Sequence, residues 1–406
     1  MSTGLRIAIE GCGHGELDRV YSSVKQLEEL DGKKVDLVVC CGDFQSVRNL
    51  DDLECMACPV KYRKLGSFYE YYSGVKKAPY PTVFVGGNHE AINYLRELYY
   101  GGWVAPNIYF MGYSGVIHFG GIRIAGISGI FKGHDYLMGH HESPPYDNSS
   151  MRSAYHVRCM EVSKLMSVTG HVDVFLSHDW PAGITSYGDV NDLVRRKRFL
   201  ARDIEQNSLG SPPLMSLLKK IQPSYWFSAH LHTKFAALVP HSDTSFTRFL
   251  SLDKCLPGRD FLQIVDFPEA SGPKEFSYDE QWLAIIKKTH PSLSFDRSPI
   301  TPPPPVEIHE EELRHIREVF QGDMKVPEKF VCTAPPFDTM TTQGKGNMPM
   351  QLLENPQTKS LMDTLEIEFP ARHASDNAAR NNPPPNPEMI DIDDDDIDPA
   401  IQAILH

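Results

Sequence analysis

Five short stretches of this 406-residue chain carry side chains able to hold a cation, and each stands just past an apolar run. Cys12 and His14 flank Gly13 after Leu5-Arg6-Ile7-Ala8-Ile9. Asp43 follows the run from Val35 to Cys40, and Asn88 and His89 follow Thr82-Val83-Phe84-Val85 and two glycines. His178 comes after Val172-Asp173-Val174-Phe175-Leu176, and His230 and His232 come after Tyr225-Trp226-Phe227. A thiol, imidazoles, a carboxylate and a carboxamide supply the S, N and O donors that divalent transition metals take. Each stretch alone is a weak signal, since Cys-x-His pairs arise by chance and Asn88 also reads as a helix cap. Together they give seven candidate ligands at five strand ends, with His89 as a further acid.

The elements that must position them follow from periodicity. Leu17, Val20, Tyr21, Val24, Leu27 and Leu30 recur at helical spacing, so residues 17–30 form an amphipathic helix between two buried strands. That order predicts a parallel pair with a right-handed crossover, whose carboxyl edge is where chemistry sits in an open α/β sheet. Phe68, Tyr69, Tyr71 and Tyr72 fall in a mixed segment, residues 51–81, that is expected to pack onto the core rather than stack bases. Gly120-Gly121 marks a hairpin, and a helix is expected from Tyr155 to Val168. Strands at 235–239, 247–251 and 261–266 are expected to form a second sheet. The simplest assembly is an α/β fold of two facing mixed sheets flanked by helices.

Between these elements lies a polar excursion, residues 132–158, rich in His, Arg and Pro. A loop this long inside a domain is usually functional, and its content suits a ligand-facing role. Arg195-Arg196-Lys197-Arg198 forms a basic run that reads first as a solvated helix face and second as a phosphate contact or nuclear import signal. After residue 266 the texture changes to a small appended helical module over 270–345, with Trp282, Ile285 and Ile286 for packing. From 355 to 406, Pro, Asn and Asp dominate, which predicts a disordered acidic tail ending in a short apolar segment, residues 401–405.

The formal charge of −13 disfavours nucleic acid only if spread evenly, and much of the acid lies in the tail at 391–398. Eight cysteines without regular spacing, and no charged-then-apolar leader, predict reduced thiols in cytosol or nucleus. Cys55-x-x-Cys58 lacks a second pair and reads as loop or core cysteines. No apolar run approaches the roughly 20 residues that cross a bilayer.

The five stretches resemble the motifs of the calcineurin-like metallophosphoesterases: D-x-H, GD, GNHE, a strand-end His, and H-x-H. The chain is similar in particular to the RNA lariat debranching branch, because Cys12 stands where most of the superfamily has Asp. The likeness extends to YGGWVAPNIYFMG at 100–112, GISGIF at 126–131, YHVR at 155–158, LSHDWP at 176–181 and SAHLH at 228–232, and covers roughly residues 5–345. It implies the metallophosphoesterase sandwich over residues 1–266, with 132–158 as the substrate recognition loop. It also implies one metal site of Cys12, His14, Asp43 and His232 and another of Asp43, Asn88, His178 and His230, bridged by Asp43. In-line displacement at phosphorus needs charge neutralised on both the attacking and the leaving oxygen, as two cations about 3.5–4 Å apart provide.

With Asn88 as ligand, His89 is left to stabilise or protonate the departing 2′-oxygen. Tyr155, His156 and Arg158 are the expected substrate contacts. The reaction implied is hydrolysis of the 2′,5′-phosphodiester at the branch of an excised intron, by a nuclear monomer that binds branched RNA and not DNA or membrane. The cofactors would be two divalent ions, Fe²⁺, Zn²⁺ or Mn²⁺, with thiolate favouring the softer ions. A different dinuclear phosphoesterase would be expected to carry Asp at position 12 and lack the loop, and a noncatalytic RNA-binding scaffold would tolerate missing ligands.

Overall fold

Every apolar run that precedes a ligand-bearing loop forms a strand. In the computed structural model, which describes residues 4–340 and 344–370, β1 (Leu5–Glu10), β2 (Leu37–Cys40) and β3 (Thr82–Phe84) lie parallel, side by side and wholly buried. Burial on both faces explains why they read as continuous apolar runs rather than alternating ones. β4 (Gly102–Ala105) and β5 (Ile108–Phe110) extend the sheet beyond β3.

The second sheet holds β6 (Ser114–Phe119), β7 (Ile122–Ile127), β8 (Val174–Ser177), β9 (Tyr225–Ser228), β10 (Phe235–Pro240) and β11 (Phe246–Ser251). Its centre, β7, β8, β9 and β11, is parallel. The hairpin at Gly120-Gly121 joins β6 to β7 as expected.

The period-2 alternation of strand side chains divides the core. Leu5, Ile7 and Ile9 of β1 pack with Ile117, Ile124, Val174, Leu176 and Phe227 in the layer where the sheets face one another. Ala8, Val38 and Phe84 pack with Leu17, Val20, Tyr21 and Val24 of the helix Leu17–Asp31. Phe68, Tyr71 and Tyr72 join that outer layer, so the aromatic segment is packing, as its composition predicts.

Four expectations need correction. The strand expected at 261–266 is β12 (Leu262–Phe267), and it pairs antiparallel with β1 in the first sheet, not the second. It covers the edge that β1 would otherwise expose, a long-range choice that local patterning does not encode. The helix expected from Tyr155 begins at Cys159, because His156 forms a parallel bridge with Ile130 that holds residues 156–158 out of the helix.

The module after residue 270 is stitched into the rest. β13 (Ser277–Tyr278) extends the second sheet beside β6, and Trp282, Ile285 and Ile286 of the helix Glu280–Thr289 are buried. Arg48, paired at 2.8 Å with Asp52 and 2.7 Å with Glu97, also donates to Thr333 Oγ1 at 2.9 Å. Finally, residues 355–370 are folded: the helix Pro356–Leu365 buries Thr358, Leu361, Met362 and Leu365. The acidic stretch and the apolar segment at 401–405 lie outside the described residues.

Candidate metal centre

The carboxyl ends of β1, β2, β3, β8 and β9 bring the five ligand-bearing loops together. Of ten non-glycine residues with positive φ among the described residues, four are expected ligands: His14 (45°), Asp43 (47°), His230 (62°) and His232 (46°). This backbone region is costly for residues with a Cβ, and strain of that kind concentrates at functional sites. Each chain turns sharply off its strand so that the side chain points at the shared centre.

Two groups of donors result. The ligand atoms of Cys12, His14, Asp43 and His232 all lie within 4.8 Å of one another. The ring nitrogens His14 Nε2 and His232 Nε2 stand 3.1 Å apart, and His14 Nε2 is 3.7 Å from Asp43 Oδ2. The other oxygen, Asp43 Oδ1, is 3.3 Å from His178 Nε2, which is 3.1 Å from Asn88 Oδ1. The His230 ring stands 5.0 Å from that of His178. Asp43 thus offers one oxygen to each group.

The electrostatics are those of a cation cradle. Burial lowers the basicity of His14 to a pKa of about 4 and of His230 to about 3, and drives His232 well below its ordinary value. Burial works against charge on Asp43, yet His178, His89 and His14 hold it well below the usual carboxylate range. Burial, then Asp43 and Glu10, push the Cys12 thiol well above its normal pKa. Neutral imidazoles that face one another, a carboxylate and a buried sulfur form a set of lone pairs that a divalent cation satisfies and a proton alone does not. His178 Nδ1 sits 2.9 Å from the carbonyl of Cys41 and donates to it, leaving Nε2 as the free donor atom toward Asp43 and Asn88. The residues therefore fit two metal ions.

Two glycines make the close approach possible. A Cβ on Gly87 would stand 2.1 Å from Asp43 Oδ1, and one on Gly42, at φ +115°, would stand 2.3 Å from His178 Nδ1. Sequence reasoning leaves Glu90 without a role. Its buried carboxylate accepts N–H bonds from Phe44 (2.8 Å), Gln45 (2.9 Å) and Gly87 (3.1 Å), so it ties the Asp43 loop to the Asn88 loop. Burial pushes the Glu90 pKa up to about 7, and that of Glu10, behind the centre at the end of β1, to about 8. A charged residue closing a buried strand is the signal by which Glu10 could have been found.

His89 lies at the rim. Its backbone N–H donates to Asp43 Oδ1 at 2.8 Å, and its partly exposed ring stands edge-on to His14 with centroids 5.5 Å apart.

The expected substrate contacts are placed less favourably. Tyr155 is partly exposed, with its ring 5.0 Å from that of His156. His156 is buried, with Nδ1 2.5 Å from Asp135 Oδ2. Arg158 is fully buried and donates to Asp135 O (2.9 Å), Ser153 O (2.9 Å) and Glu142 Oε1 (2.6 Å), so it braces the loop from within and does not face substrate. The physical reason is that the loop supplies its own counter-charges. Arg158→Met should remove the cation from a buried pair, a change that costs about 3–5 kcal/mol. Limited proteolysis within residues 132–158, absent from the wild type, is the expected readout, with metal content retained.

Arg96, also unremarked in the sequence, links this loop to the centre. It sits on the helix Ile92–Glu97 that follows His89 and donates from Nη2 to the carbonyl of His140 at 3.0 Å. Cys55 and Cys58 are buried free thiols. Arg195 and Arg196 pair with Asp192 on an exposed helix face, the commoner of the two readings of that run. Among the described residues no helix is long and apolar enough to cross a membrane.

Comparison with known proteins places this geometry. Residues 5–234 match the calcineurin-like phosphoesterase family, and residues 244–370 match the lariat debranching enzyme C-terminal domain. A lariat debranching enzyme of Danio rerio is 50% identical over 381 residues, covering 89% of this chain and 66% of that protein. One from Drosophila melanogaster is 47% identical, covering 90% of this chain and 78% of the relative. One from Arabidopsis thaliana is 48% identical, covering 90% and 87%. The chain thus spans a little under two thirds of the Danio rerio protein's length.

Proposed function

The chain belongs to the lariat debranching enzymes within the calcineurin-like phosphoesterases, and from that premise we propose that it hydrolyses the 2′,5′-phosphodiester at the branch of excised introns. The products are a 5′-phosphate and a free 2′-hydroxyl on linear RNA, which opens the intron to turnover. The observation that carries this reading is the donor set around Asp43, with Cys12, His14 and His232 on one side and Asn88, His178 and His230 on the other. The working form is a nuclear monomer.

Cys12, His14, Asp43 and His232 would hold one divalent ion, and Asp43, Asn88, His178 and His230 the other. When bound, the pair supplies Lewis acidity on both sides of the phosphorus and an oxygen nucleophile near neutral pH. Asp43 fixes the spacing of the two groups by giving each one oxygen. His178 keeps its donor nitrogen aimed inward through its bond to Cys41 O. Glu90 keeps the Asn88 loop in register with Asp43, and so sets where His89 stands. His89 delivers a proton to the departing 2′-oxygen, because an alkoxide is a poor leaving group.

Selectivity for the branch cannot come from the donors, since 2′,5′ and 3′,5′ linkages present the same phosphodiester. It comes from the shape of the loop at residues 132–158, with Tyr155 at its accessible edge and His156 and Arg158 holding it from inside. The metals are Fe²⁺, Zn²⁺ or Mn²⁺. Cys12→Asp should move the preference of the first site from Zn²⁺ and Fe²⁺ toward Mn²⁺ and Mg²⁺, read as metal content after equilibration with mixed ions. An unchanged preference would mean that the sulfur does not coordinate.

The test of function is incubation with branched RNA, linear RNA and a phosphopeptide, with and without chelator. Chelator-sensitive cleavage of the branched RNA alone is expected. Cleavage of the phosphopeptide alone would overturn the reading.

A further inference from the structure

On the His14 and His232 side of the centre, positive groups gather. The segment after β11 is sewn to the Cys12 loop: Cys12 N–H donates to Asp253 O at 3.3 Å, Cys255 N–H donates to Cys12 O at 3.0 Å, and Cys12 and Lys254 form a parallel bridge. The bridge fixes Lys254 against the Cys12 loop, with Cys12 two residues from His14 in the chain. Arg259 Nη1 is 3.5 Å from Asp253 Oδ2. Arg196 Nη1 donates at 2.9 Å to Thr233 Oγ1, next to the ligand His232.

Arg196, Lys254 and Arg259 thus gather along the segments next to Cys12 and His232. Arg196 shares its carboxylate, Asp192, with Arg195. In a chain of net charge −13, a local gathering of cations at the mouth of a phosphodiester site runs against the overall balance. Like charges assembled in this way draw an anion toward them. The recognition loop borders the other donor group, where Phe131 N–H donates to Asp179 Oδ2 at 3.0 Å, next to His178.

A branch nucleotide carries two 3′,5′-phosphates besides the 2′,5′ one, so RNA arms leave the site in more than one direction, and the loop at residues 132–158 cannot hold them all. Resting on the debranching reading, we propose that Arg196, Lys254 and Arg259 form a phosphate track for one RNA arm leaving the branch past His14 and His232. Contacts of this kind position a strand without reading its sequence, and they make binding salt-dependent by about 0.7 in log–log slope for each single-stranded phosphate neutralised.

The test uses the metal-loaded full chain carrying Arg196→Ala and Arg259→Ala, on branched RNA with arms of about ten nucleotides and on a branched trinucleotide. With the long arms, kcat/KM should fall about tenfold, and the slope of its logarithm against log salt should flatten by about 1.4, because two phosphates are no longer neutralised. On the trinucleotide the loss should be at least about fivefold smaller, because the track has nothing to hold. Lys254→Gln serves as an independent variant, with a flattening of about 0.7. A salt slope equal to the wild type's in both variants overturns the track, and so does an equal loss on both RNAs, which would place these residues at the metals. If the wild type leaves both RNAs intact, debranching itself is refuted and the track falls with it, an outcome distinct from the other two.

Discussion

Asp43→Asn is expected to abolish debranching, with a loss of about 10⁴–10⁶-fold, the scale seen when one member of a catalytic unit is removed. The lower figure corresponds to about 5.4 kcal/mol of transition-state stabilisation. The substitution keeps the shape of the side chain and its acceptor for His89 N–H, 2.8 Å away, so the loops should remain in place. What it removes is the negative charge that His14, His89 and His178 face, and with it the second anionic oxygen that lets one side chain serve both donor groups. Metal content after equilibration should drop from two ions per chain to one or fewer, with the circular dichroism spectrum unchanged. Two ions retained, together with a loss below about 100-fold, would show that Asp43 is not the bridge.

The donors around Asp43 were legible in the sequence for a physical reason. Strands buried on both faces, such as β1, β2 and β8, announce themselves as apolar runs, and polar residues such as His14 or His178 just past them stand out by contrast. The ligand chemistry then needs only proximity, which parallel strands guarantee by placing all their carboxyl ends on one edge. Where information is not local, the sequence was silent. Nothing in residues 262–267 says that their partner is β1, more than 250 positions away, rather than the neighbouring hairpin.

Charge in a loop is ambiguous in the same way. Arg158 looks solvent- or RNA-facing because it lies in a polar segment, yet Asp135 and Glu142 within that segment draw it inward. The residues at 355–370 are hidden by the composition of the tail behind them, although Leu361, Met362 and Leu365 carry the spacing of a buried helical face. Counting acids and bases within a long loop, and judging a tail in short windows, would recover both.

His89→Ala carries the second large effect and separates proton delivery from metal binding. The residue sits between two ligand-bearing features: its backbone is tied to Asp43, while its ring reaches the rim beside His14. Alanine preserves the backbone bond and removes the ring, so both metals should be retained. Turnover of branched RNA should fall by about 10²–10⁴-fold, the ordinary contribution of a positioned general acid. The argument turns on the leaving group. A ribose 2′-oxygen departs as a strongly basic alkoxide unless it is protonated, whereas p-nitrophenolate departs without help. Against bis(p-nitrophenyl) phosphate the same variant should therefore lose less than about tenfold, because the step that His89 assists is no longer demanding. Equal losses on the two substrates would assign His89 to binding or bracing. Loss of metal from the variant would make it a support of the Asp43 loop, and the acid would then have to be sought elsewhere.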